Sequence, residues 1–563
     1  MPNCLPPRRV LPGDAVWPLH DTAATRALEA RALAASAPHA LMQRAGLAVA
    51  RLALAVAPHA RLVRVAAGPG NNGGDGLMAA LHLQRAGKAV VAHLIGGGTN
   101  RPADATDALQ RARAAGVTIV DGLPDGVDGD LWIDALLGIG ARRAPDGPVG
   151  AAIERLNGSP APVLAIDLPT GLHPDTGSVL GIAAVCARHT LSLLTLKPGL
   201  FTGGGRDACG EIWLDTLGFD STGEPASAHL AGAESLRRVL APRLHATHKG
   251  SFGDLLVVGG APGMAGAALL AARAALAAGA GRVYISPLDP ATPLLDGERP
   301  ELMLRPAGWR PAPDWLRQAT VVCGCGGGDA VRATLPLWLG QAARLVLDAD
   351  ALNAVAADPL LQAVLKNRGA RGAATVLTPH PLEAARLLGS SAAAVQADRL
   401  AAARELAVRY GAVVVIKGSG TVIATPAGAP TINPNGNAML ASAGTGDVLA
   451  GWVGGLWSRH AATASEAARA AVWLHGHAAD LARSGGNGAL PLRAADLIEA
   501  MRQAAGGGLR LGASARHRAR SRLSDGHGSG GWPCARWPAA CPEPPPPRRC
   551  LRPACASCPW PWP

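Results

Sequence analysis

The chain has 563 residues, 48% of them hydrophobic but only 3% aromatic, and a formal net charge of +12 at pH 7. That length accommodates two to four domains. Most of the charge belongs to one segment, since residues 510–563 hold nine arginines against Asp525 and Glu543, and without a basic patch interleaved with aromatics the composition argues against a nucleic-acid partner.

Ten cysteines are too few to staple a chain of this size, and five of them (Cys534, Cys541, Cys550, Cys555 and Cys558) fall in the last thirty residues. This usage fits a reducing, cytoplasmic location. The N-terminus lacks the apolar stretch of a signal peptide, and the Ala/Leu runs are broken by arginine before spanning length, which argues against a membrane. From about residue 20 to 220, apolar strand-like runs (RLVRVAA, KAVVAHLIGG, VTIVDG, DLWIDALLG, PVLAIDLPTG, TLSLLTL) alternate with Ala-rich helical stretches, an α/β rhythm. Residues 221–245 carry small polar residues and no strand pattern, and read as a linker. A second α/β series follows in DLLVVGG, RVYISP, TVVCGCG, RLVLDAD, ATVLTP, AVVVIKG and TVIATP. Beyond about 506 all periodicity is lost, and 506–563 is expected to be a disordered tail.

In the first series GPGNNGGDG, residues 68–76, reads as a loop between strand and helix; Gly68, Gly70 and Gly73 satisfy the G-x-G-x-x-G spacing of a pyrophosphate cradle. The acid that a dinucleotide fold needs at the end of the next strand is missing, because KAVVAHLIGG ends without one. Asn71, Asn72, Asp75, Asp134, Asp167 and Thr170 all sit at or just after strand-like runs, where open α/β sheets bind ligands. Together they offer oxygen ligands without histidine or cysteine, which suits a hard cation or sugar hydroxyls rather than zinc. Each acid taken singly is also ordinary turn chemistry.

The ordered motifs GPGNNGGDGL, DALLGIG, AIDLPTGL and TLKPGL resemble the epimerase half of bifunctional NAD(P)H-hydrate repair enzymes over residues 15–220. The resemblance implies an N-terminal Rossmann-like three-layer sandwich in which Asn71, Asn72, Gly73, Gly74 and Asp75, the loop Gly138, Ile139, Gly140, Ala141, Arg142, Arg143 and Ala144, and Asp167 hold the hydrated cofactor. It further implies a potassium ion on Asn72, Asp134 and Thr170, with Asp134 as catalytic acid/base assisted by Lys197. Thr170 stands where serine is expected and GIGARRA where GTG is usual.

In NPNGNAMLASAGTGDVLAGWVGG, residues 433–455, glycines precede an apolar helical run, so backbone N–H groups form an anion hole with Asp447 at its lip, placed to deprotonate a hydroxyl attacking phosphorus. With HKGSFGDLLVVGG, GMAGAALLA, CGCGGG, LDADALN, TPHPLEAARLLG and IKGSGTVI in order, residues 246–505 resemble the ADP-dependent NAD(P)H-hydrate dehydratases, implying a C-terminal ribokinase-like three-layer sandwich. The resemblance places Ala267, Gly326, His380 and Asp447 on the hydrate. It places Lys417, Gly418, Ser419, Gly420, Thr421 and Gly446 on the adenine nucleotide, with magnesium steadying the phosphates and Asp447 as catalytic base.

The implied activity is epimerisation of R and S NAD(P)HX and ADP-dependent dehydration of the S form to NAD(P)H. Partners are expected to be NADHX, NADPHX and ADP, with no nucleic acid or membrane, in a homo-oligomer. A ribokinase-like vitamin-precursor kinase carrying a non-catalytic N-terminal binding module is the rival reading. His475 and His477 lie in a helical run and read as packing residues, and Cys323 and Cys325, one residue apart, make a poor metal pair.

Overall fold

Two mainly parallel sheets, each packed against helices, carry the described residues. The computed structural model describes residues 6–506 apart from 12, 14, 98–100, 222, 460–461 and 488–489; the tail assigned to 506–563, with its cysteines, lies outside the described residues from 507 onward. In chain order the strands are β1 (Arg8–Arg9), β2 (Trp17–Leu19), β3 (Leu62–Ala67), β4 (Ala89–Leu94), β5 (Thr118–Asp121), β6 (Leu131–Ala135), β7 (Val163–Ile166), β8 (His189–Leu193), β9 (Glu211–Asp215) and β10 (Ala228–Leu230). They continue as β11 (Asp254–Gly259), β12 (Arg282–Pro287), β13 (Met303–Leu304), β14 (Thr320–Cys323), β15 (Arg344–Leu347), β16 (Thr375–Leu377), β17 (Val413–Ile416), β18 (Val422–Ala424) and β19 (Thr431–Ile432).

The first sheet has the order β1-β9-β8-β7-β6-β3-β4-β5, parallel throughout except for β1. The second runs β13-β12-β11-β14-β15-β16-β17-β18-β19-β10-β2 and is parallel from β13 to β17. Central strands such as LWIDA, TVVC and VVVI are buried at every position, as strands covered on both faces must be. Both sheets reverse winding direction next to their first long strand, between β3 and β6 and between β11 and β14. Such a switch point opens a crevice at the carboxyl ends of the strands.

Two sequence expectations need correction. Segment 221–245 is not a strandless linker: it supplies β10, which pairs with β19 and β2, and a short helix, Glu234–Val239. A three-residue strand is too short to show alternation. For the same reason β2, inside the span 15–220, was not legible as an edge strand of the second sheet. NNGGDG is not a loop either; the helix Asn71–Arg85 begins at Asn71, leaving only Gly68–Gly70 as the turn. The two halves share a core, since Leu168, Leu172, Leu200 and Phe201 belong to one buried apolar cluster with Leu347, Leu377 and Ile416.

Candidate active sites

A cavity of about 370 Å³ opens at the first switch point. Its wall includes Gly70, Asn71, Asn72 and Asp75 at the start of the helix Asn71–Arg85, Gly138 to Ala141 after β6, and Asp167 and Lys197. Close backbone approach builds this corner. A Cβ on Gly73 would stand 2.0 Å from the Gly68 carbonyl oxygen, so only glycine lets the first helical turn lie against the preceding turn. Gly73 and Gly74 are buried by this packing and do not line the cavity, and Arg142, Arg143 and Ala144 also fall outside its wall.

Asp167 follows β7 directly and adopts a φ of +69°, a region costly for a residue with a Cβ and often reserved for functional positions. Its Oδ1 accepts from the ammonium of Lys197, which is buried, and from the Leu193 amide at 3.2 Å. Lys197 also donates to the Leu193 carbonyl at 2.8 Å. Around this pair, burial followed by the charge of Asp167 raises the carboxyls of Glu29 and Asp75, the latter well above the usual range.

Asp134 stands elsewhere. It is fully enclosed and absent from the cavity wall; Oδ2 accepts from the Thr170 amide at 2.8 Å, and Oδ1 from the Thr170 hydroxyl at 2.7 Å and the Leu136 amide at 3.2 Å. Burial raises its carboxyl to about 6 against those hydrogen bonds. Asp134, the residue expected as acid/base, is the fourth residue of β6 and is enclosed in packed protein, whereas Asp167 is the carboxylate beside Lys197. The Asn72, Asp134 and Thr170 group suits a hard monovalent cation in chemistry. Every ligand atom it can offer is oxygen, the Thr170 hydroxyl lies 3.3 Å from the Leu137 carbonyl, and the buried Asn72 Nδ2 has no hydrogen-bond partner.

The second cavity, about 570 Å³, is lined by Lys417, Gly418, Ser419, Thr421 and Gly446 of the expected nucleotide set. Gly420 is not on its wall; a Cβ there would stand 2.0 Å from the Phe201 carbonyl oxygen. Asp447 is the third residue of the helix Thr445–Ser458, beyond its N-cap Gly444, where free N–H groups favour anions. Burial, then the charge of Asp348, raises its carboxyl to about 7. Lys417 contacts Asp348 at 2.7 Å and Glu383 at 3.9 Å. Burial alone would lower the ammonium, yet Asp348 and Glu383 hold it above its usual range.

His380 caps the helix Pro381–Leu388: its Nδ1 accepts from the Leu382 and Glu383 amides at 3.1 and 3.2 Å, and burial lowers its pKa. Ala267 and Gly326 adjoin, a Cβ on Gly326 lying 2.8 Å from that of Ala267. Neither these two nor His380 and Asp447 line the nucleotide-side cavity. Asp348 lies in LDADALN and Glu383 in TPHPLEAARLLG, where nothing in the letters shows that they hold Lys417. Cys325 is likewise more than a turn residue, since its sulfur lies within 4.8 Å of carboxylate oxygens of Asp348 and Asp447. His475 is half-buried, donates from Nε2 to the Thr445 carbonyl at 3.0 Å, lines the cavity, and is lowered to about 4 by burial. A histidine inside a helical run carries no signal of such a position.

Residues 255–501 match the NAD(P)H-hydrate dehydratase family and residues 38–199 the YjeF-related protein N-terminus. The bifunctional NAD(P)H-hydrate repair enzyme Nnr of Escherichia coli is 39% identical over 82% of this chain and 88% of its own length. The chain belongs to the bifunctional NAD(P)H-hydrate repair enzymes. Nnr of Coxiella burnetii is 37% identical over 82% of this chain and 94% of its own. The Bacillus subtilis ADP/ATP-dependent NAD(P)H-hydrate dehydratase co-crystallised with ATP/Mg2+ is 30% identical over 48% of this chain and 95% of that one, with a TM-score of 0.40. Membership in this family makes the chain a bifunctional NAD(P)H-hydrate epimerase and dehydratase, and sets aside the vitamin-kinase reading with its non-catalytic N-terminal module.

Proposed function

We propose that the two cavities divide the repair: epimerisation in the first, built from about 15–220, and ADP-dependent dehydration in the second, built from about 246–505. The observation that carries the division is that each half has its own carboxylate–lysine pair beyond the carboxyl ends of its strands, Asp167 with Lys197 and Asp348 with Lys417. In the first cavity the backbone amides at Asn71 and Asn72 face the cofactor's phosphates. Asp167, steadied by Lys197, carries the proton of the C6 hydroxyl to N1 as the C6–N1 bond breaks to an open aldehyde, and carries it back when N1 recloses on the opposite face of that carbonyl. Potassium, held by Asn72, Asp134 and Thr170, would supply positive charge near those phosphates.

Beside the second cavity, at the start of the helix Thr445–Ser458, Asp447 takes the proton of the C6 hydroxyl as its oxygen attacks the β-phosphorus of ADP, releasing AMP. The C6–O bond then breaks with loss of phosphate and of the C5 proton, restoring the dihydronicotinamide. Magnesium fits here only as a passenger on the nucleotide phosphates, because Asp348 is already paired with Lys417 and the neighbouring sulfur of Cys325 is a poor magnesium ligand. A cytoplasmic setting agrees with four free described cysteines, Cys186, Cys209, Cys323 and Cys325. No helix among the described residues is long and apolar enough to cross a membrane.

The test is to incubate the purified chain with mixed R and S hydrates, with and without ADP, and follow dihydronicotinamide absorbance. Full recovery of both epimers is expected with ADP and none without it. Recovery limited to the S form, or independent of ADP, would overturn the division.

A further inference from the structure

The nucleotide-side cavity is not built by the C-terminal half alone. Arg206 and Asp207, in the short helix Gly205–Ala208 of the N-terminal half, line it. The Arg206 guanidinium donates from Nη1 to the Asn435 carbonyl at 3.2 Å and from Nη2 to the Gly436 carbonyl at 2.8 Å. Three of its five N–H groups are left over.

No carboxylate among the described ion pairs meets it. The nearby acid, Asp480, has both oxygens engaged, one by the Gly436 amide at 2.9 Å and the other by the Asn437 side chain at 2.8 Å. Burial lowers the pKa of Arg206, with Asp480 and Asp207 opposing from a distance. A largely enclosed cation balanced only by neutral carbonyls is costly unless an anion completes it. The cavity as a whole carries Arg206, Lys417 and Arg483 against the single carboxylate of Asp207.

We propose that Arg206, carried by the epimerase half, is a nucleotide-binding residue of the dehydratase cavity, its guanidinium pairing with an anionic group of the adenine nucleotide. The surrounding contacts hold it for that task. The Thr202 hydroxyl reaches the Gly420 carbonyl at 3.3 Å, and Arg399 bridges the Thr202 hydroxyl, at 2.7 Å, to the Ser419 carbonyl. The segment preceding Arg206 is thereby tied to the loop Lys417 to Thr421. The assignment rests on reading the second cavity as the adenine-nucleotide site. It predicts that the dehydratase of this chain depends on its N-terminal half for nucleotide affinity, not only for substrate supply.

The experiment compares ADP and uncharged adenosine by calorimetry on the full chain, unaltered and as Arg206→Met, Arg206→Gln and Arg206→Lys. Arg206→Met is expected to weaken ADP by about tenfold or more and adenosine by less than about twofold, as loss of a charge-assisted pair requires. Arg206→Lys should recover much of the ADP affinity. In turnover KM for ADP should rise while kcat for dehydration and the epimerisation rate hold. Equal weakening of ADP and adenosine would make Arg206 a mere wall and overturn the assignment; unchanged ADP affinity would do the same. If Arg206→Met fails to fold, Arg206→Gln carries the comparison, because an amide can still donate to the Asn435 or Gly436 carbonyl. Absence of ADP binding by the unaltered chain would overturn the reading of the cavity itself, and the assignment with it.

Discussion

As the proposed base of dehydration, Asp447 has to be deprotonated to act, yet its surroundings favour the proton. Burial and Asp348 raise it from 3.8 to about 7, so dehydration of the S hydrate should climb with pH through about 7 and flatten above it, with kcat/KM falling about tenfold per pH unit on the acid side. The same shift sets a stability slope. Between 3.8 and about 7 the folded chain holds a proton that the unfolded chain has lost, so stability falls as pH rises across that window. Asp447→Asn removes this burden along with the base. Dehydration is expected to drop by about 10² or more, while the melting temperature at pH 8 rises by roughly 2 °C or more over the unaltered chain and at pH 4 does not. A variant that is both inactive and less stable at pH 8 would mean that the carboxylate is there to hold the fold. In the first cavity, Asp167→Asn should cut epimerisation by about 10²; Asp134→Asn should shift its potassium dependence instead, read as a changed half-saturating potassium concentration.

The helix Asn71–Arg85 shows how a single element positions a site, and how far it could be read beforehand. Glycine spacing located the turn after β3, and the acids after strand-like runs located the first site, because a parallel sheet binds at its carboxyl edge whatever the ligand. What the letters could not give was direction. Asp134 is the fourth residue of β6 and is sealed by Thr170, whereas Asp167 stands one residue past β7 and is swung by its positive φ to Lys197. Both look alike as an aspartate at the end of an apolar run. The glycines of NNGGDG are visible too, but their pattern reads as loop while their use is packing: Gly73→Ala would put a methyl 2.0 Å from the Gly68 carbonyl oxygen. That substitution should lift the helix start from its turn, destabilise the chain by about 1–3 kcal/mol and abolish epimerisation. ADP-dependent dehydration of pure S hydrate should persist, and its loss in a folded variant would show that the first corner also supports the second site.

At the scale of the whole molecule the two halves share a core, while the proposed function gives each its own reaction, and two substitutions distinguish these senses. Asp447→Asn alters only a carboxyl at the head of one helix, so epimerisation should continue at the unaltered rate. Gly420 is different. Its φ is +66°, and a Cβ there would meet the Phe201 carbonyl oxygen at 2.0 Å, in the short helix Pro198–Phe201 that directly follows Lys197. Gly420→Val should therefore push the nucleotide loop and the Lys197 segment apart. ADP affinity should fall because the loop from Lys417 to Thr421 is displaced, and epimerisation should fall as well, because Lys197 loses its fixed distance to Asp167. Measured together on one preparation, a joint loss in Gly420→Val beside intact epimerisation in Asp447→Asn is the expected pattern. If Gly420→Val weakens ADP binding but leaves epimerisation untouched, the Lys197 segment is held by its own half alone, through the Leu193 and Asp167 contacts, and the shared core transmits nothing between the sites.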